Sequence, residues 1–361
     1  MALDRIQLIT FRNHAHSAID GTSRFNLLVG ENGAGKTNVL EALSLLAPGR
    51  GLRRAPLSEM AQANGPGGFA INVQLTGDDH SEPVSLGTGT EAAQPNRRQI
   101  RINGSRSSAV TLGEWLSVCW LTPAQDRLFT DSAGARRRQM DRMALALFPT
   151  HSSHAARYEA ALRERNRLLS GDGQPDPEWL ASLEAQMAAS GSMLAQGRAE
   201  LVTRLEDTLA EEAPYPFARP HLLYRSSAPM VEELLAEALA KSRPKDRAAG
   251  RSLVGPHRDE LEATMEGTGA PAAQCSTGEQ KAMLVAMTLA HAGLAARGRP
   301  SVLLLDEIAA HLDPIRRDAL YDRLRHSGAQ IWMTGTEPAP FSGIEREAAV
   351  WQVTAGTVER L

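Results

Sequence analysis

At 361 residues the chain is long enough for two or three domains of ordinary size. Its 42% hydrophobic and 22% charged residues exclude global disorder and a collagen-like repeat, and no apolar run approaches the ~18 residues of a membrane span. A net charge of −3 means that any nucleic-acid surface has to be a local patch. Aromatics are only 4%, so the core is expected to be mostly Ala, Leu, Val, Ile and Met. The N-terminus, MALDRIQLITFRNH, has no basic region followed by an apolar block, so no signal peptide is expected. Cys119 and Cys275 are too few and too far apart for a metal site or a disulfide framework, which fits a cytoplasmic location.

Ile6, Leu8, Ile9 and Phe11 predict a first strand and residues 25–29 a second. GENGAGKT follows, then a helical pattern at Val39, Leu40, Leu43 and Leu46. Residues 69–76, 83–88 and 98–103 predict short strands of an antiparallel sheet, and 117–122 another strand. From 132 to 170 the pattern is helical. SGDGQPDP (170–177) breaks it, and 178–211 predicts a long helix with Leu180, Leu183, Met187, Leu194, Leu201, Leu205 and Leu209 on one stripe. That hairpin is either a packed subdomain or an arm of about 50 Å, and Gly191 and Gly197 weaken its continuity. Beyond residue 214 the structure is mixed: a helix over 278–297, a strand at 302–305, a helix at 314–326 and a strand at 329–334.

Gly30, Gly35, Lys36 and Thr37 complete the pattern G-x-x-x-x-G-K-[ST], between a strand and a helix as a phosphate loop requires. Residues Gly30, Glu31, Asn32, Gly33, Ala34, Gly35, Lys36 and Thr37 are the nucleotide-binding candidates. Glycines let backbone N–H groups approach phosphate oxygens, Lys36 reaches the β- and γ-phosphates of ATP, and the Thr37 hydroxyl ligates Mg²⁺. Far downstream an apolar strand ends in Asp306-Glu307: Asp306 is the second Mg²⁺ candidate, and Glu307 the base that activates the attacking water.

Asp306 follows Thr37 by 269 residues, so a segment is inserted between the halves of the site. Just upstream lies STGEQK, where Ser276, Gly278 and Gln280 resemble the signature loop of ABC-type ATPases. The same residues read equally as a helix N-cap with a capping-box glutamate, and the two roles are compatible. His311-Leu312-Asp313 resembles the D-loop of that family.

LITFRNH followed by GENGAGKTNVLEALSLLAPGRGLR, then LTPAQDRLF, ARRRQMDRM, RSLVGPHRDEL, STGEQKAML and LLLDEIAAHLD together resemble the RecF family of bacterial recombination mediators. That resemblance implies an α/β fold: an ABC-type, SMC-head-like ATPase lobe of 1–120 and 216–361, with an inserted helical lobe at 121–215. It also implies an ATP-dependent homodimer with slow, DNA-stimulated hydrolysis. The DNA would be gapped, with single-strand/double-strand junctions, or single-stranded. The partners would be RecR, with RecO and RecA in the pathway of repair, replication and the SOS response. Arg12 joins the nucleotide set by the same resemblance. Two features depart from the ABC pattern. The strand after the acidic pair ends in MTGTE, where Thr334 or Thr336 stands in for a switch histidine, and the Q-loop residue is either Gln125 or not evident, since Gln125 also reads as a plain surface glutamine. The role of GPHRD is open. An ABC transporter ATPase subunit would leave GPHRD and FRNH unexplained, and the ATPase head of a nuclease would need a further acidic metal-binding domain.

Three basic clusters are the DNA candidates. Arg97, Arg98, Arg101 and Arg106 carry no acid between them. Arg136, Arg137, Arg138 and Arg142 surround Asp141, and Lys241, Arg243, Lys245, Arg247 and Arg251 surround Asp246. Few aromatics accompany them, which favours backbone contacts over base stacking.

Overall fold

The apolar alternation of the first residues becomes β1 (Ala2–Phe11), which turns back into β2 (His14–Asp20) and β3 (Phe25–Val29). The computed structural model describes residues 2–76, 82–171, 173, 175–212 and 215–361. In it α1 (Lys36–Ser44) leads to β4 (Gly68–Thr76), β5 (Val84–Glu91), β6 (Gln94–Ile102), β7 (Ser105–Arg106), α2 (Ala109–Trp115) and β8 (Ser117–Leu121). Helices α3 (Ala133–Leu147), α4 (His151–Leu169) and α5 (Pro177–Glu211) follow, then β9 (Pro220–Arg225), α6 (Glu232–Ala249) and β10 (Glu260–Met265). The chain ends with α7 (Thr277–Ala295), β11 (Ser301–Leu305), α8 (Pro314–His326), β12 (Gln330–Gly335), β13 (Ala348–Thr354) and β14 (Thr357–Arg360). Among the described residues no helix is long and apolar enough to cross a membrane.

Two compact units form. One comprises Met1–Asp126, Pro214–Phe217 and Leu284–Leu361, the other Arg127–Ala213 and Ala218–Met283. The first holds two six-stranded sheets. One is antiparallel, in the order β2-β1-β4-β5-β6-β7. The other runs β14-β13-β3-β12-β11-β8 and is parallel except for the edge strand β14. Strands β3, β8 and β11 are buried along their whole length, as continuous apolar runs in a covered parallel sheet require. Leu8, Phe11, Leu28, Leu40, Leu43, Ile71, Leu304 and Trp332 share one core.

In the second unit α4, α5 and α6 pack through Tyr158, Ala161, Leu183, Met187, Leu194, Leu235 and Leu239. The long helix is therefore packed within its own unit rather than projecting. It starts where Asp176 accepts the Glu178 and Trp179 N–H groups ahead of Pro177. Of the SGDGQPDP breaker, Asp172 and Gln174 lie outside the described residues. Gly191 and Gly197 do not interrupt α5. They allow close approach, since a Cβ would lie 3.0 Å from the Tyr158 ring and from His151 Nδ1 respectively. Pro149 lies between α3 and α4, splitting the expected 132–170 helix. The second unit extends past residue 215, the expected end of the helical insert, to Met283. Two contacts account for this. β9 pairs with β10 in antiparallel register, and α6, not foreseen from sequence, buries Leu235 and Leu239 among α4 and α5 side chains.

Candidate nucleotide site

The sheet order brings the two halves of the site together. β3 neighbours β12 and β12 neighbours β11, with Val29 opposite Gly335 and Met333 opposite Leu305. The glycine loop leaves the end of β3 and Asp306-Glu307 leave the end of β11, both at the carboxyl edge where open α/β sheets bind ligands. The Thr37 Oγ1 hydroxyl donates to Asp306 Oδ1 at 2.9 Å, and Thr334 Oγ1 donates to the same oxygen at 2.7 Å. The Glu307 N–H in turn donates to Thr334 Oγ1 at 2.9 Å. Thr334, weighed from sequence as a stand-in for the switch histidine, thus orients both acids. Glu307 has φ of +56°, an uncommon conformation for a residue with a side chain.

Lys36 is buried, and its Nζ donates to the Gly30 and Glu31 carbonyls at 2.7 and 2.8 Å. Burial pushes its pKa down, while the Glu307 and Asp306 carboxylates pull it up, so the ammonium faces both acids. The N–H groups of Gly33, Gly35 and Lys36 have no acceptor among the described residues. They form a cradle for an anion at the start of α1.

Cis oxygens on an octahedral Mg²⁺ lie about 2.9 Å apart when each metal–oxygen distance is about 2.0–2.1 Å. The Thr37–Asp306 separation of 2.9 Å fits that pair. Among the described residues no group of three or more His, Cys, Asp or Glu side chains could hold a metal alone, so the remaining ligands would be phosphate and water oxygens.

Gln125 is buried, not a surface residue. It lies four residues beyond β8, the strand beside β11, and its Oε1 accepts the Thr122 N–H at 3.0 Å. Asp313 caps α8 by accepting the Arg316 N–H at 3.0 Å, and is half exposed. In the second unit Ser276 and Gly278 are exposed at the start of α7. Ser276 Oγ accepts from the Glu279 N–H, and Glu279 Oε2 accepts from the Ser276 N–H at 2.8 Å, a capping box.

Arg12 is not brought to the loop as a free cation. Its guanidinium holds the fully buried Glu41 carboxylate at 2.7 and 2.9 Å and the Glu59 carbonyl at 2.9 Å. A buried carboxylate needs such a partner, and Glu41 takes Arg53 as well. The next two residues of FRNH do reach the loop, which sequence reasoning missed. Asn13 Nδ2 donates to the Ala34 carbonyl at 2.9 Å, and His14 Nε2 lies 3.1 Å from the Gly35 carbonyl.

Several basic residues read as DNA candidates are already engaged by groups of the protein itself. Arg98 is half-buried, and its guanidinium donates to the Leu45, Ala47 and Gly49 carbonyls beyond α1 and to Thr88 Oγ1, with desolvation pushing its pKa down to about 10. Arg136 makes a bidentate pair with Glu260 at 2.7 and 2.9 Å and donates to the Asp131 carbonyl. Arg137 donates to the Asp259 carbonyl at 2.8 Å. Arg243 holds Glu184, and Lys241 pairs with Glu237. Arg97, Arg101, Arg106 and Arg138 are exposed, with no acidic partner among the described residues.

GPHRD is a locked turn. The fully buried Asp259 accepts from Arg198 at 3.0 Å, from Tyr224, and from the Ser227 N–H at 2.9 Å. His257 bonds Tyr158 at 2.8 Å through Nδ1 and the Ser252 carbonyl at 3.0 Å through Nε2. Of these five residues only Arg258 is exposed, and its guanidinium has no acceptor among the described residues.

The RecF/RecN/SMC N terminal domain model matches residues 2–359. The chain is 47% identical over 370 residues to the DNA replication and repair protein RecF of Mesorhizobium japonicum, covering 99% of this chain and 97% of that one. A solved structure of the recombination mediator protein RecF-ATPrS in the RecFOR pathway superposes with a TM-score of 0.87 at 22% identity, covering 100% of this chain and 98% of that one. The Smc head domain of Pyrococcus furiosus gives 0.55 at 15% identity, covering 99% and 95%. The chain belongs to the RecF family, and its fold is the mixed α/β, ABC-type ATPase fold shared with SMC heads.

Proposed function

We propose that the chain is an ATP-controlled DNA clamp: a recombination mediator that acts at gapped DNA and single-strand/double-strand junctions. The observation that carries this is the convergence of Lys36, Thr37, Asp306 and Glu307 at one sheet edge, in a chain similar over its length to RecF proteins. Lys36 leaves the Gly30 and Glu31 carbonyls for the β- and γ-phosphates of ATP, and the N–H groups of Gly33, Gly35 and Lys36 receive phosphate oxygens. Thr37 and Asp306 would hold Mg²⁺, which would supply charge neutralisation at those phosphates. Glu307 takes a proton from the attacking water, held in place by the bond from its backbone to Thr334. Gln125 is the Q-loop residue beside this edge. Ser276 and Gly278 of a second copy meet the γ-phosphate, and Asp313 lies at the dimer contact. Hydrolysis then acts as a slow, DNA-stimulated switch that releases the dimer.

The DNA contacts are the arginines left free by the fold. Along β6 the side chains alternate, so Arg97 and Arg101 face solvent while Arg98 and Ile100 turn inward. Arg101 is register-paired with Arg106 on β7. Two like charges opposite each other repel unless an anion sits between them, which suits a phosphate. Arg138 and Arg258 are the corresponding candidates in the second unit. Work with RecR, RecO and RecA and support of the SOS response follow from the family.

Sedimentation and DNA binding test this together, with a gapped duplex and with or without a non-hydrolysable ATP analogue. The clamp requires that the analogue produce a dimer and that the dimer bind the gapped duplex more tightly. A monomer that binds DNA identically in both conditions would overturn it.

A further inference from the structure

The glycine loop is held from behind by two distant pieces of chain. The turn between β13 and β14 is Ala355-Gly356, with φ of 48° and 83°. The Gly356 N–H donates to the Ala34 carbonyl at 2.8 Å, the carbonyl that also accepts from Asn13. The Gly356 carbonyl accepts from Ser17 Oγ at 2.9 Å, Ser17 Oγ lies 2.9 Å from His14 Nδ1, and His14 Nε2 lies 3.1 Å from the Gly35 carbonyl. His14 is fully buried and Ser17 nearly so. Because the Gly35 carbonyl can only accept, His14 Nε2 carries the hydrogen of that bond. The fit is close: a Cβ on Gly356 would lie 2.1 Å from the Asn13 carbonyl oxygen, and one on Gly30 would lie 2.2 Å from that of Val353 at the end of β13.

A trans peptide points its C=O and N–H in opposite directions. The Ala34 carbonyl shares a peptide with the Gly35 N–H, and the Gly35 carbonyl shares one with the Lys36 N–H. Fixing both carbonyls on the turn, Asn13 and His14 therefore aims those two N–H groups the other way, where no described residue accepts them.

We propose that His14 is a positioning residue for the phosphate loop and that the β13–β14 turn, through Gly356, is the wall it works against, the two setting the direction of the N–H groups that receive nucleotide phosphates. This rests on the nucleotide reading above. The chain's last hairpin, which carries no sequence motif, is then part of the nucleotide site.

The test is titration of a fluorescent ATP analogue into the full chain and its Lys36→Ala, His14→Phe, His14→Gln and Ser17→Ala variants, at a temperature where circular dichroism shows each folded. Phe keeps the ring's bulk and loses its hydrogen bonds, so affinity should fall about tenfold. Gln returns an N–H near the Nε2 position and should bind within about threefold of the unmodified chain. Ser17→Ala, which cuts the links to Gly356 and to His14 Nδ1 but leaves the His14 Nε2 bond to the loop, should fall about threefold. Unmodified affinity in folded His14→Phe, or Gln binding no better than Phe, overturns the proposal. If His14→Phe does not fold, unchanged affinity in Ser17→Ala overturns it instead. Equal binding by the unmodified chain and Lys36→Ala would show that the nucleotide reading itself had failed.

Discussion

The Thr37 hydroxyl donates to the Asp306 carboxylate across 2.9 Å of space and 269 residues of chain. Thr334 donates to the same oxygen, so the acid is oriented from helix α1 and from strand β12 before any ion arrives. Binding a cation there would require the Thr37 hydroxyl to turn a lone pair toward it, while Thr334 can keep its bond to Asp306.

Metal dependence should therefore reside in Asp306. Asp306→Asn keeps the size of the side chain and removes its charge. In EDTA its ATP affinity should match the unmodified chain. With Mg²⁺ present the unmodified chain should tighten and the variant should lag by roughly tenfold or more. Equal Mg²⁺ enhancement in both would remove Asp306 from the site.

Glu307→Gln should bind ATP and trap the dimer, because it cannot take the proton from water. Turnover should drop by about 10²–10⁴-fold, the range for loss of a general base. Sedimentation with ATP and Mg²⁺ checks the dimer, and a phosphate-release assay checks turnover. A monomer under those conditions would count against the switch.

Ser276→Arg should leave ATP binding by the monomer near normal and abolish ATP-driven dimerisation. Ser276 is exposed at the start of α7, and a long cation there cannot sit against a partner's phosphate-binding surface. If the variant dimerises normally, the capping box with Glu279 is the whole role of this serine.

The exposed arginines and Arg98 should behave oppositely. Replacing Arg97, Arg101 and Arg106 with alanine should flatten the log–log salt dependence of DNA binding by up to about 0.9 for each lost duplex contact. Arg98→Ala should leave that slope alone and lower stability by about 2–4 kcal/mol, since it strips charge-assisted bonds from the Leu45, Ala47 and Gly49 carbonyls. Thermal unfolding and fluorescence anisotropy over a salt series separate the two effects. The assignment fails if Arg98→Ala changes the slope and the triple variant does not.

His257 makes stability depend on pH. Burial pushes its pKa below 6.5, and the nearby Arg258 and Arg137 push the same way, against the Ser252 carbonyl. A histidine with a lowered folded pKa binds fewer protons folded than unfolded. Its contribution is thus complete above about pH 6.5 and is lost as pH falls below that. Protonating Nδ1 would also leave the Tyr158 hydroxyl facing an N–H. Urea midpoints should fall from pH 7.5 to pH 5, and by less in His257→Gln. The same fall in both would place the titration at other groups.

The glycine loop and its helix were legible in sequence because every element lies within eight consecutive residues whose chemistry is local: glycines for backbone approach, then Lys36 and Thr37 at fixed spacing. The acidic strand was legible because an apolar run ending in Asp306-Glu307 is the same kind of short-range signal. Which arginines are free was decided only by the tertiary structure. Arg97 and Arg98 are adjacent and chemically identical, yet the pleat of β6 sends one to solvent and the other onto carbonyls about fifty residues away. Arg136 looked available until Glu260, 124 residues later, was placed beside it. Arg12 was turned away from the loop for a similar reason: the fully buried Glu41 carboxylate needs a cation, and Arg12 reaches it along with Arg53. Gly356 carried no sequence signal and His14 only its place in FRNH, because their partnership exists only where β2 and the last hairpin meet behind the loop. Local spacing encodes what a backbone segment can do by itself, whereas the pairing of buried charges and carbonyls depends on which distant groups desolvation forces together.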